Sequence, residues 1–331
     1  METRKIQITG GSTYTVSLPK GWAKRNDVTE GSVLGIHPDE HTLILAPTHI
    51  DNSTEGHLDV TDSSDEELVR SVIAMYVSGF ERITLEMDRV TTDVRRAIRS
   101  ATKNLAGLEV VEEKNRTVTV QVLFDASQFS ISNTIARMQV IALGMLNDAI
   151  TALKELDCTL ARDVVDRDND VDRLWFVISR MFRKSLRTPT AVEELGLPRE
   201  RCFDFYTGAR QLERIADHAA KIGTVAIDLE TIPEDVAESV TKLHEETQVI
   251  INTAIEALLT DDREDATRLA NRARDSVSTM DEHIRAINGL LRNLDSRHAQ
   301  QLRLGVDSLS RCADYGGNLA EAALQKAAPR P

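Results

Sequence analysis

At 331 residues the chain is long enough for two or three domains, and its 41% hydrophobic content can supply a core for each. Aromatics make up only 4%, and the apolar residues are chiefly Ala, Leu, Ile and Val, which suits packed helices and excludes an all-β reading. No apolar run approaches the roughly 18 to 20 residues that cross a bilayer, and a net charge of −13 repels nucleic acid except at a local exception.

A soluble, cytoplasmic protein is therefore expected. The three cysteines, Cys158, Cys202 and Cys312, are far apart and form no CxxC pair, so they are expected as buried thiols and not as a disulfide or zinc framework. Charge is unevenly spread: residues 1–50 carry five basic against five acidic side chains, 51–129 nine against fifteen, and 130–331 carry 26 against 33. The N-terminal segment repels a polyanion least.

Residues 1–47 read as short strands. Ile6, Ile8, Tyr14, Val16 and Leu18 alternate with polar residues around Gly10-Gly11, giving a strand, a turn and a strand. Pro19 opens a short helix through Lys20-Gly-Trp22-Ala-Lys24-Arg25-Asn26, and Val33–Ile36 and Leu43–Leu45 pair around a turn at Pro38-Asp39-Glu40. So small a segment has too little interior to stand alone, which predicts dimerisation.

Residues 48–57 read as a polar linker. A small α/β layer follows over 58–125: strand Leu58–Thr61, helix Asp65–Gly79, strand Arg82–Met87, helix Thr92–Leu105, then a hairpin of Leu108–Glu112 and Thr117–Phe124 turning at Lys114-Asn115. It carries no glycine-rich phosphate loop and no His/Cys cluster, as expected of a spacer or dimerisation module.

From 130 onward the period is helical. Breaks near Asp157, Pro189 to Pro198, Pro233, Asp261 and Asp295 divide the sequence into helices over 130–156, 158–187, 199–230, 234–260, 262–294 and 296–327. These make two three-helix units, 130–230 and 233–327. Their third helices repeat: Glu213-Arg-Ile-Ala-Asp217-His218 matches Ser310-Arg-Cys-Ala-Asp314-Tyr315.

The carboxylates of this repeat point to metal chemistry. Glu213 and Asp217 are i and i+4 on one face, where like charges repel unless a cation answers them. Asp168 takes a position on the seam Val164, Val171, Trp175, Ile178 where an apolar residue is expected, and Asp172 stacks one turn above it. Converging carboxylates in a bundle suit Mg, Mn or Fe. In the second unit Asp314, with Asp281 as its expected partner, gives a pseudo-equivalent site, weakened by Ser310. The alternative is ordinary salt bridging to Arg167, Arg173 or Arg214.

Asp168-x-x-Val171-Asp172-Arg173-Leu174 and Glu213-Arg-x-x-Asp217-His218, in a duplicated bundle over 130–327, resemble the PhoU family. The resemblance implies a metal-binding regulator that passes phosphate status to a phosphate ABC transporter and its control genes without catalysis. Arg4-Lys5-Ile6, Gly10-Gly11-Ser12, Val16-x-Leu18-Pro19-Lys20-x-Trp22 and Gly31-Ser-Val33 resemble the AbrB-like DNA-binding domain, in which two chains interleave hairpins into one barrel. The combination resembles archaeal regulators.

The expected fold is thus multidomain and mainly α: a swapped-hairpin β-barrel, a small α/β segment and a pair of three-helix bundles. The expected function is a homodimeric, phosphate-responsive transcription regulator and not an enzyme. DNA contacts are expected from Arg4, Lys5, Ser12, Thr13, Lys20, Lys24 and Arg25, with Thr15 near the turn and Trp22 as core. Metal ligands are expected from Asp168, Asp172, Glu213, Asp217, Asp281 and Asp314, with Fe, Mn, Mg or Zn as the cation. The rival is a protein-interaction regulator of the transporter ATPase whose N-terminal domain is only a dimer clamp. A ferritin-like di-iron enzyme is disfavoured, because the Glu-x-x-His pairs of such sites are missing.

Overall fold

In the computed structural model, residues 2–39, 42–47, 54–123 and 130–329 are described. They fall into two units, Met1–Ser53 and Thr54–Pro331. In the first, β1 (Gln7–Thr9) and β2 (Thr13–Thr15) form an antiparallel hairpin. Its turn needs glycine, since Gly10 and Gly11 adopt φ of 64° and 83°. Helix α1 (Lys20–Arg25) follows Pro19, and β3 (Leu34–Asp39) pairs with β4 (Thr42–Pro47). Pro38 and Asp39, expected in the turn, are still paired with Leu43 and Thr42. Glu40 lies outside the described residues.

The described strands of one chain form two separate two-stranded sheets and not the expected closed barrel. None of the unit's described residues is buried, and Ile6, Ile8, Tyr14, Val16, Val33, Ile36 and Leu43 are all exposed, Tyr14 at 74%. Trp22, expected in a core, is only half-buried. Strands this short leave their apolar faces open when nothing is packed against them.

The second unit begins with a four-stranded sheet in the order β5-β6-β8-β7. Its strands are β5 (Glu55–Asp59), β6 (Arg82–Glu86), β7 (Leu108–Glu113) and β8 (Thr117–Val122). β5 and β6 are parallel, and the other two pairings are antiparallel. β5 starts at Glu55, inside the segment expected as linker; residues 48–53 lie outside the described residues. Helix α2 (Asp65–Val77) opens with a capping box of Ser64 and Glu67, and α3 (Thr92–Asn104) with Thr91 as cap. Leu68, Val72 and Tyr76 of α2 and Ile98 and Ala101 of α3 bury against Ile83, Leu85, Val118 and Val120 of the sheet.

The helical body comprises α4 (Ile131–Glu155), α5 (Cys158–Arg187), α6 (Pro189–Leu195), α7 (Arg199–Asp228), α8 (Glu234–Leu259), α9 (Arg263–Leu291) and α10 (Ser296–Ala327). Ser130, Asp157, Asp262 and Asp295 cap four of the long helices through their side chains. The stretch from Pro189 to Pro198, read as a plain break, holds the short α6, begun by Pro189 and ended by Gly196 at φ 61°. Cys202 and Cys312 are buried as expected, whereas Cys158 is half-buried.

One apolar core runs through both three-helix units. At its centre α7 and α10 cross antiparallel, and equivalent residues of the two repeats meet. Cys312 Sγ lies 3.8 Å from the carbonyl of Ile215, and Tyr315 Oη lies 3.5 Å from His218 Nε2, each pair 97 residues apart. A pseudo-twofold axis passes between them. Close approach depends on small residues here: a Cβ at Gly316 would lie 2.7 Å from Ile250 Cγ2 and 3.2 Å from Ile251 Cγ1. Gly316→Val should therefore lose about 1 to 3 kcal/mol, read as a lower denaturant midpoint. Gly289→Ala, with nothing within 4 Å of the added carbon, should instead gain up to about 1 kcal/mol.

Candidate metal centre

Two helices build the site. α5 contributes Asp168 and Asp172, α7 contributes Glu213 and Asp217, and each pair is spaced by one turn so that both members face the neighbouring helix. Asp172, Glu213 and Asp217 each bring a carboxylate oxygen within 4.8 Å of the others. Asp168 lies beside them, close enough to Asp217 for repulsion to raise its pKa. Its Oδ1 and Glu213 Oε2 are buried without a hydrogen-bond partner, and Glu213 as a whole is 8% exposed.

The electrostatics match that crowding. Burial, then repulsion from Asp217, pushes the Asp168 carboxyl up to about 6 against the weaker pull of Lys221. Asp172 is also raised to about 6, by burial and then by Asp168 and Asp217. Glu213 reaches about 7, mainly through burial and the Asp217 charge, and Asp217 is raised by burial against Lys221, Arg210 and Arg214. Four acids thus share a half-buried place with one directly bound cation: Arg210 Nη1 donates to Glu213 Oε1 at 2.6 Å while its guanidinium lies 5.3 Å over the Trp175 ring.

Of the arginines expected to neutralise the acids, none makes a direct ion pair with them among the described residues, and Arg214 acts on Glu213 and Asp217 only from a distance. Arg167 pairs with Asp148 at 2.5 Å and Asp163 at 3.2 Å, and Arg214 lies 5.5 Å over the Tyr315 ring. Arg210 was not anticipated, although its place three residues before Glu213 on the same helix was a readable sign. The donor set is all oxygen, which suits a hard or borderline divalent cation or ferric iron.

The second expected site is not assembled. Asp281 is exposed on α9, and Asp314 is half-exposed and accepts a hydrogen bond from Arg311 at 3.2 Å. Among the described residues no second group of three such ligands lies close enough to hold a metal. Matching the seams of α5 and α9, Val171, Trp175 and Ile178 onto Met280, Ile284 and Ile287, puts Val277 where the first repeat has Asp168. Ser310 stands where it has Glu213. Half the carboxylates are gone, and between α8 and α9 Glu246 Oε2 lies 2.7 Å from His283 Nδ1.

In the first unit, Arg4, Lys5, Ser12, Thr13, Lys20, Lys24 and Arg25 are all exposed. Lys20, Lys24 and Arg25 project from α1, with Lys20 and Lys24 one turn apart, while Ser12 and Thr13 lie at the hairpin turn. Arg4 is held by Glu2 at 2.5 Å, and the Thr15 hydroxyl donates across the hairpin to the Gln7 carbonyl at 3.4 Å.

Residues 135–226 match the PhoU domain model, and residues 7–51 match the model described as antidote-toxin recognition MazE, bacterial antitoxin. No curated protein matches the chain. Among solved structures, PhoU from Pseudomonas aeruginosa is similar with a TM-score of 0.51 and 22% identity, over 59% of this chain and 93% of that one. The phosphate transport system regulatory protein PhoU from Streptococcus pneumoniae gives 0.48 and 16% over 59% and 91%. The first likeness shows a PhoU-type fold for the helical body, and no helix among the described residues is long and apolar enough to cross a membrane.

Proposed function

We propose that this chain, a PhoU-type helical body joined to a MazE- or AbrB-like head, is a dimeric cytoplasmic regulator of phosphate uptake that binds operator DNA with its head and senses a cation-linked signal with its body. It catalyses no reaction. The observation that carries the sensing part is the convergence of Asp172, Glu213 and Asp217 around an unpartnered Glu213 oxygen, with Asp168 alongside. These four residues would hold Fe, Mn, Mg or Zn, and the ion would replace the repulsion among them with a common attraction.

Dimerisation of the head is supported by the seven large apolar side chains exposed among its described residues, which a second copy would cover. Two copies would bring together ten cations from Arg4, Lys5, Lys20, Lys24 and Arg25, a useful phosphate footprint. The same apolar surface also favours the second reading, a head that only clamps two chains while the body docks on a phosphate transporter ATPase.

Elemental analysis after loading with Mn, Fe, Zn or Mg tests the sensing part. The expected result is one equivalent per chain, lost in Asp168→Asn/Asp217→Asn and retained in Asp281→Asn/Asp314→Asn. A wild type that takes up none of the four leaves the acids without a cation and removes this reading.

A further inference from the structure

Helix α2 ends with no basic residue in its last turn, so the negative end of its dipole and its last carbonyls must be answered from elsewhere. Helix α5 answers them. Arg180 Nη1 donates to the Tyr76 carbonyl at 2.6 Å and the Phe80 carbonyl at 2.9 Å, and Nη2 lies 3.1 Å from Glu81 Oε1. The guanidinium also lies 4.9 Å over the Tyr76 ring. Lys184 Nζ reaches the same Glu81 oxygen at 2.8 Å, and Arg187 donates to the Ser78 carbonyl. Positions 180, 184 and 187 form one stripe along the helix. Arg180 is 2% exposed, and a cation so deeply buried persists only where partners of this quality hold it in place.

The same loop grips the point where the chain enters the second unit. Thr54, the first residue of that unit, donates from Oγ1 to the Gly79 carbonyl at 2.7 Å. Its own carbonyl accepts from the amides of Glu81 at 2.8 Å and Arg82 at 3.3 Å. Thr54, the loop Ser78–Arg82 and the C-terminal half of α5 are therefore one hydrogen-bonded joint. The carboxylate cluster sits on that same unbroken 30-residue helix. Asp172 precedes Arg180 by eight residues, about 12 Å along the axis at the rise of an α-helix. α5 meets α7 at the cluster and α2 at the joint.

We propose that this joint couples the cluster to the base of the head's tether. A cation that draws Asp168 and Asp172 towards Glu213 and Asp217 reseats α5, and Arg180, Lys184 and Arg187 carry the change into Ser78–Arg82 and Thr54. The coupling rests on the cluster being the cation site described above, and it requires that the ion bind one seating of α5 more tightly than the other.

Amide hydrogen exchange at Glu81 and Arg82 in the full chain tests it, with Mn2+ as the probe. In the wild type, saturating Mn2+ should slow exchange at both amides by on the order of tenfold. In Arg180→Met the slowing should vanish while one Mn2+ per chain still binds. Because loss of Arg180 also loosens the α/β layer, Glu81→Gln serves as the graded variant; it keeps both carbonyl bonds and should shrink the effect without abolishing it. A metal-free Asp168→Asn/Glu213→Gln protein relieves the same repulsion genetically and should move the two amides in the direction Mn2+ moves them. If Mn2+ binds and neither arm changes these amides, or if Arg180→Met transmits as well as the wild type, the joint is overturned and the cation site stands. If Mn2+ fails to bind but the genetic arm slows exchange, the joint stands and the cation site falls.

Discussion

Asp168→Asn/Glu213→Gln is expected to make the metal-free protein more stable than the wild type at pH 8 and indistinguishable from it below pH 4. The carboxyls of Asp168 and Glu213 rise from 3.8 and 4.5 to about 6 and about 7 in the folded chain, chiefly through burial and secondly through Asp217. A group whose folded value is raised contributes stability that is intact below its unfolded value and is lost as the pH climbs through the folded one. The metal-free wild type should therefore weaken between about pH 4 and pH 7 and stay weak above. The loss is about 2 kcal/mol for Glu213, which is nearly buried, and about 1 kcal/mol for the more solvated Asp168.

His218 and His244 act in the opposite sense. Burial lowers both to about 4, so each costs stability as the pH falls from 6.5 towards 4. They are present in both proteins, so the difference between the two profiles isolates the carboxylates. Adding Mn2+ should reverse the order at pH 8, because only the wild type keeps a full set of ligands. Calorimetric Tm values at about pH 3.5, pH 5 and pH 8, with and without the ion, check all of this. Parallel profiles for the two proteins would show that the fold does not raise the Asp168 and Glu213 carboxyls.

Lys20→Ala/Lys24→Ala should leave the fold intact and remove most affinity for DNA upstream of the protein's own gene. Helix α1 has no buried residue, so truncating either side chain exposes no core. A dimer would lose four phosphate-facing cations. The slope of log affinity against log salt should then fall by about 3 to 4, and affinity near 0.1 M salt by on the order of a hundredfold or more. A salt titration by fluorescence anisotropy reads both. Wild-type protein that binds this DNA no better than the variant does would favour the clamp reading of the head.

The long helices were legible because their apolar seams persist over many turns, four of them open on a Ser or Asp cap and the other two follow a proline. The α/β layer was legible as to its elements but not its edges: β5 begins in a polar stretch, where pairing with β6 and not apolar content makes the strand. Helix α6 was missed because two prolines mask a turn that Pro189 in fact starts. At the site, Asp168 betrayed itself as an acid on an apolar seam, and the spacing of Glu213 and Asp217 did the rest. Asp281 and Asp314 misled because a repeated Asp is visible in sequence, whereas the losses at Val277 and Ser310 matter only once the neighbouring helices are aligned. The clamp made by Arg180 was invisible, since it joins residues about a hundred positions apart that share no motif.

The meeting of Ile215 with Cys312 and of His218 with Tyr315 at the axis has a consequence for any attempt to halve the body. Residues 130–230 expressed alone would lay bare Gln211, Ile215 and His218, which Asn318, Cys312 and Tyr315 of the second half now meet. Because that half is built on the same plan, a second identical half offers nearly the right shape. Severed halves should therefore pair with themselves, each standing in for the partner it has lost.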